Sequence, residues 1–150
     1  HGVVGWNSRM DALQATFVDL GLQHVQARVA SRREAANRYR RELAALAPRL
    51  RLITAPSGYE ENGYCNVCLV EDAQDKLSLE TALKGAGIGF GNIYPSPMSA
   101  QPGAQAYLKG KVGGADAAWL CSHVLNLPLF PYMREDEISE VIALVRKTLS

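Results

Sequence analysis

Between Leu22 and Leu46 apolar residues recur at helical spacing (Leu22, Val25, Val29, Ala36, Tyr39, Leu43 and Leu46), and Pro48 then closes the pattern. That spacing predicts one long helix with a single apolar face, and a proline cannot continue it. A face of this kind needs a second layer to cover it, so the chain has to supply a sheet or further helices. A matching face stands at the other end, where Ile138, Val141, Ile142, Val145 and Leu149 follow Glu135, Asp136 and Glu137. Acidic residues at that point suit the positive end of a helix.

The intervening punctuation supplies the other elements. Residues 1–7 lack periodicity and read as a loop or short strand. Ser8 with Asp11 resembles a capping box opening a helix whose face carries Met10, Leu13, Phe17 and Leu20, with Gly21 as its break. Strands are expected over Leu50–Ala55, before the turn residues Pro56-Ser57-Gly58, and over Tyr64–Val70. A helix from Lys76 to Ala86 stops at Gly87, and Ile88–Tyr94 reads as extended. Pro95–Gly114 is a proline- and glycine-rich loop that could line a pocket. Ala115–His123 then reads as a short helix and Leu125–Pro131 as an edge strand. The expected fold class is α+β, a small antiparallel or mixed sheet with packed helices, in one domain over 1–150.

Composition excludes several classes. With 47% hydrophobic residues in a 150-residue chain there is enough apolar surface for a core, and disorder is excluded. No run of about 18 apolar residues offers a membrane span. Sixteen basic against fifteen acidic residues leave a formal charge of +1, so charge alone recommends neither nucleic acid nor an anionic membrane as partner. The basic stretch Arg28, Arg32, Arg33, Arg38, Arg40 and Arg41 has no interleaved aromatic motif and reads as a solvated or subunit-facing helix surface. Three cysteines in a chain of this size imply a reducing, cytoplasmic compartment. The opening residue is His1 with no signal-peptide pattern behind it, so a start that has been cut, processed or tagged is expected, a missing piece of the working protein being one form of that expectation.

Taken singly, the reactive residues define no active site. Cys65 and Cys68 lie three apart on an expected strand and face opposite ways, so they cannot grip one metal. His1, His24 and His123 have no partners at ligand or triad spacing, and Gly87–Gly91 does not open a helix as a phosphate cradle must. No metal site is expected.

Three blocks, met in order along the chain, supply what the single residues do not. Gly5-Trp-Asn-Ser-Arg-Met-Asp-Ala-Leu-Gln-Ala15 resembles the G-x-N-x-R-[ML]-x-x-x-Q-A signature of the DegT/StrS family of pyridoxal phosphate (PLP)-dependent, mostly nucleotide-sugar, aminotransferases and dehydratases. Ala86-Gly-Ile, followed by Tyr94-Pro-Ser-Pro97 and Gln101-Pro102, resembles that family's A-G-I-x-x-x-x-H-Y-P-x-P-x-H-x-Q-P, and Val124–Pro131 resembles its V-L-x-L-P-L-x-P ending. The resemblance implies the C-terminal small domain of a fold-type I PLP aminotransferase, whose large domain lies upstream. It implies PLP as cofactor, a keto-sugar and an amino-acid donor as substrates, and a homodimer or a catalytic partner chain. Asn7 and Arg9 would then meet the cofactor phosphate across the subunit interface. Both histidines of the middle block are absent, and Asn92 and Ser99 are read at those positions; with Tyr94 they are the candidate substrate contacts. None of Lys76, Lys84, Lys109, Lys111 and Lys147 stands in the family's Schiff-base context, so no catalytic residue is expected in this chain. The competing expectations are a non-catalytic subunit that completes a PLP-dependent partner, and a fragment of a sugar dehydratase.

Overall fold

The computed structural model describes residues 10–92 and 94–150; the expectations that fall on residues 1–9, Asn7 and Arg9 among them, lie outside it. In chain order the elements are α1 (Ala12–Leu22), α2 (Val25–Leu43), a 3-10 turn (Ala44–Leu46), β1 (Leu50–Leu52), β2 (Asn66–Val70), α3 (Ala73–Gly85), a second 3-10 turn (Met98–Ala100), α4 (Pro102–Gln105), α5 (Ala115–His123), β3 (Val124–Leu127) and α6 (Glu135–Leu149).

β2 is the middle strand, antiparallel to both neighbours. Its register sets Val70 against Leu50, Cys68 against both Leu52 and Leu125, and Asn66 against Leu127. Because strand side chains alternate, these residues share one face, and along β2 the buried positions are Asn66, Cys68 and Val70. α2, α3 and α6 cover that face. Tyr39 and Leu43 of α2, Leu79 and Leu83 of α3, and Ile138, Val141, Ile142, Val145 and Leu149 of α6 join the strand residues in one apolar cluster. The α+β layer anticipated from the sequence is therefore present, with an entirely antiparallel sheet.

Local chemistry explains where the helices begin and end. Asp11 caps α1 by accepting the Gln14 N–H at 2.8 Å, Ser8 lying outside the described residues, and the helix runs through Gly21 to Leu22. Asp72 caps α3 by accepting from the Gln74 N–H at 2.6 Å, which starts that helix three residues before Lys76. α3 ends in a Schellman motif: Gly87, at φ +71°, donates to the Lys84 carbonyl and Ile88 to the Leu83 carbonyl. Glu137 accepts the Arg134 N–H at 2.8 Å ahead of α6.

All four strand expectations are cut back. Leu50–Ala55 forms a strand only over Leu50–Leu52, and Tyr64–Val70 over Asn66–Val70. Among the described residues of Ile88–Tyr94 no strand forms, and the ladder contact is the bridge Gly91–Asn126. β3 begins at Val124 and stops before Pro128, whose missing N–H ends the pairing.

Ion pairs fasten the layers. Arg49 binds Asp75 at the start of α3 with both oxygens, at 2.6 and 2.9 Å, and donates to the Leu149 carbonyl of α6 at 2.6 Å. Arg38 of α2 joins Glu42 at 2.7 Å, Glu135 and the Ser139 hydroxyl of α6 at 2.6 Å. The basic helix thus faces acids of this chain at half of the named arginines: Arg33 and Arg40 meet Glu60 and Glu61 of the loop before β2.

α1 stands apart from all this. It buries no residue, and Leu13 and Phe17 are each 73% exposed.

Hydrogen bonds from Arg49 hold the Asp75 carboxyl below its ordinary 3.8, and those from Arg38 hold Glu42 below its ordinary 4.5. A depressed carboxyl contributes stability that is complete above its unfolded value and is lost as pH falls through the folded one. The urea midpoint should therefore fall as pH drops below 4.5 and on past 3.8. Asp75→Asn should flatten that acid limb relative to wild type when midpoints are compared across pH 2–7.

Candidate functional site

The three candidate substrate residues lie on one excursion of the chain, between the end of α3 and α4. Gly91 is fixed to the sheet edge by two backbone bonds with Asn126, at 3.0 and 2.9 Å. A Cβ at Gly91 would sit 3.4 Å from the Asn126 Cβ, an ordinary contact. Next comes Asn92, half-buried, whose amide donates to the Glu80 carboxylate of α3 at 2.6 Å. Tyr94 is exposed and Ser99 half-buried.

Beyond Tyr94 the loop holds itself. Gln101 donates to the Ser96 carbonyl at 3.0 Å and to its hydroxyl at 2.9 Å, and Gln105 donates to the Ser99 carbonyl at 2.7 Å. Pro102 occupies the first turn of α4, where its missing N–H costs nothing. The Gln101-Pro102 pair of the middle block therefore has a local structural use.

Two cavities flank the sheet end. One, of about 560 Å³, lies against the loop before β2 and is lined by Arg40, Ile53, Thr54, Glu61, Gly63 and Cys65. The other, of about 310 Å³, is lined by Tyr64, Asn66, Phe90, Gly91, Asn126 and Leu129. Neither reaches Tyr94 or Ser99. The structure thus brings the candidates onto one loop without gathering them around a cavity. Asn92 points its donor into the protein, which counts against a direct substrate contact. Counting back from Tyr94 also puts Ile93, not Asn92, in the place of the first histidine.

The lysines do not fit the aldehyde of PLP. Lys76 is buried, donates to the Cys121 carbonyl at 3.0 Å and pairs with Glu80 at 3.4 Å, so its amine is already engaged. Lys84, Lys109, Lys111 and Lys147 are exposed and line neither cavity. No lysine among the described residues lines either cavity. Among the described residues no three His, Cys, Asp or Glu cluster to hold an ion. Cys68 is fully buried, its thiol pushed up to about 12 by desolvation, and Cys65 lies just before the strand. His123 is a packing residue, stacked on Trp119 with ring centroids 4.3 Å apart, while His24 is exposed at the break between α1 and α2. No helix among the described residues is long and apolar enough to cross a membrane.

Sequence reasoning misses Glu80, Lys76 and Asn126. The first two stand four apart, the ordinary spacing of a helical ion pair, and Asn126 is a polar residue between two leucines of an otherwise apolar run.

The layer and its loop have the architecture of an aminotransferase domain, and the whole-chain comparison names the family. Residues 1–146 match the DegT/DnrJ/EryC1/StrS aminotransferase family, and the chain belongs to it. It is 34% identical over 151 aligned residues to UDP-N-acetyl-3-dehydro-alpha-D-glucosamine 3-aminotransferase of Acidithiobacillus ferrooxidans, covering 99% of this chain and 38% of that protein. It is 29% identical over 143 residues to UDP-2-acetamido-2-deoxy-3-oxo-D-glucuronate aminotransferase of Pseudomonas aeruginosa, covering 95% of this chain and 38% of that one. Among solved structures, DesV of S. venezuelae in complex with a ketimine intermediate superposes with a TM-score of 0.83 at 26% identity, over 100% of this chain and 39% of its own. The chain accordingly spans about two fifths of the length of the relatives it matches.

Gly63, in the wall of the larger cavity, has φ +64°, and a Cβ there would meet the Arg32 Cβ at 2.7 Å. Gly63→Ala should therefore cost about 2–5 kcal/mol, summing left-handed strain and overpacking. Denaturant unfolding of wild type and variant measures it, and a change under about 0.5 kcal/mol, the range of an ordinary surface substitution, would contradict the described loop.

Proposed function

We propose that this chain is the C-terminal portion of a PLP-dependent aminotransferase that transfers an amino group from an amino acid to a nucleotide-linked keto-sugar. The observation that carries the reading is the family match across residues 1–146. Two curated relatives named for UDP-linked 3-keto-sugars support the substrate class. These relatives are named as aminotransferases, which favours amino transfer over dehydration.

On this reading the lysine that anchors the cofactor lies in a large domain outside these residues. PLP supplies the electron sink for moving the amino group, and this chain supplies walls and contacts around it. Asn7 offers a side-chain amide and Arg9 a guanidinium to the cofactor phosphate, each reaching an active site of a neighbouring subunit. Tyr94 and Ser99 are the residues of the loop left to face substrate, since Asn92 is turned toward Glu80. The bare apolar face of α1, with Met10, Leu13, Phe17 and Leu20 exposed, is the surface that the large domain or a second subunit covers.

The test is a mass-spectrometric assay for the amino-sugar product, using a UDP-linked 3-keto-sugar, a panel of amino acids and PLP. Turnover is expected when the remainder of the aminotransferase is present and absent with the 150-residue chain alone. With limiting PLP, borohydride treatment of the isolated chain should fix the cofactor stoichiometrically on no single one of its five lysines. Turnover by the isolated chain, stoichiometric fixation on one lysine, or an inactive complete protein would overturn the reading.

In the complete protein Asn7→Ala should weaken PLP binding about ten- to hundredfold, the worth of one hydrogen bond to a charged group. Equal dissociation constants would reduce Asn7 to a loop residue.

A further inference from the structure

We infer that Glu80 is a positioning residue: through Asn92 it aims the Tyr94–Ser99 segment, and on the aminotransferase reading above that aim sets the substrate side of the site. The observation is a chain of contacts that ties α5 and α3 to the loop. Lys76, nine-tenths buried, donates to the Cys121 carbonyl near the end of α5 at 3.0 Å. Its ammonium lies 3.4 Å from Glu80 Oε1, one turn further along α3. The same oxygen accepts the Asn92 amide at 2.6 Å.

A buried ammonium is costly without an anion, which accounts for Glu80 as a counter-ion. That role alone does not account for Asn92. Its Nδ2 goes to Glu80, and its Oδ1 is buried without a partner, so the whole amide is turned inward. Immediately before it, Gly91 is pinned by backbone bonds to Asn126. Two successive residues, one held by main chain and one by side chain, fix both the position and the direction in which the chain leaves the sheet edge. From Tyr94 onward the side-chain bonds among the described residues are the loop's own, Gln101 to Ser96 and Gln105 to Ser99. The loop is thus internally braced and joined to the body at its root. Loosening the root removes the anchor on which that bracing rests, so the loop opens to solvent more often.

The two roles separate experimentally. Glu80→Ala removes both the anion and the acceptor. Glu80→Gln keeps an acceptor for Asn92 and removes the charge, and Asn92→Ala leaves the Lys76–Glu80 pair intact. Hydrogen–deuterium exchange on the 150-residue chain reads the loop directly and does not depend on catalysis. Amides of residues 94–105 should exchange about ten- to hundredfold faster in Glu80→Ala and in Asn92→Ala, and within about threefold of wild type in Glu80→Gln. Peptides from α6 and β2 should be unchanged in Asn92→Ala. Wild-type exchange of the loop in Asn92→Ala would overturn the inference and leave Glu80 a counter-ion; a uniform rise across α3, α6 and the loop in that variant would overturn it as well. In the complete aminotransferase, Glu80→Ala and Asn92→Ala should raise KM for the UDP-linked 3-keto-sugar about tenfold or more, with Glu80→Gln restoring it. An unchanged KM in both would remove the substrate role. A complete wild-type protein without activity would count against the aminotransferase reading, while the exchange result would still decide the role of Glu80.

Discussion

The structure depends on the two-sided pairing of β2. A strand bonded along both edges has one register with each neighbour, and its alternation then decides which side chains of three strands face the helices. Asn66, Cys68 and Val70 on β2 bring Leu50, Leu52, Leu125 and Leu127 to the same side. A slip of one residue would turn that whole set toward the opposite face. The apolar stripes of α2, α3 and α6 have one place to pack because this face exists, and each helix brings polar residues that then meet across the layers.

Those meetings explain why a helix with so many arginines belongs to a nearly neutral chain. Its charges are answered from far along the sequence: Arg38 by Glu135 at the head of α6, Arg33 and Arg40 by the loop between β1 and β2. Gly63, pressed against Arg32, lets that loop come close enough to α2 to do so. Pairs open to solvent on at least one side, such as Arg33–Glu60 and Arg38–Glu135, contribute little each. Their use is geometric, holding the cavity wall and the α2–α6 crossing in place.

Periodicity and punctuation make the helices legible, α6 and α5 within a residue and α2 to within one turn, because an apolar face and a terminal proline or acid cluster are local signals. The strands are shorter than Leu50–Ala55 and Leu125–Pro131 suggest, since residues suited to a strand pair only while a neighbour runs beside them. Ile88–Tyr94 shows the same limit more sharply. Its composition fits an extended chain, yet a ladder needs a facing edge, and among its described residues only Gly91 reaches Asn126. The loop candidates are legible as a group through the Tyr94-Pro95 and Gln101-Pro102 blocks. The inward turn of Asn92 is not, because it depends on Glu80 twelve residues back, at a spacing no helical or strand pattern reports. Glu80 itself reads as an ordinary surface acid until its partners are seen.

α1 is eleven residues long and buries none of them. Isolated helices shorter than about 12–15 residues are marginal in water, and here the turn at Gln23–His24 separates α1 from the well-packed α2. On the proposed reading, the surface that covers Leu13 and Phe17 therefore does more than remove apolar area from water. It also meets the ordering cost of the helix, so that docking and helix formation are a single equilibrium. The affinity of that contact should then depend on helix propensity at positions that touch nothing, such as the outward-facing residues of α1.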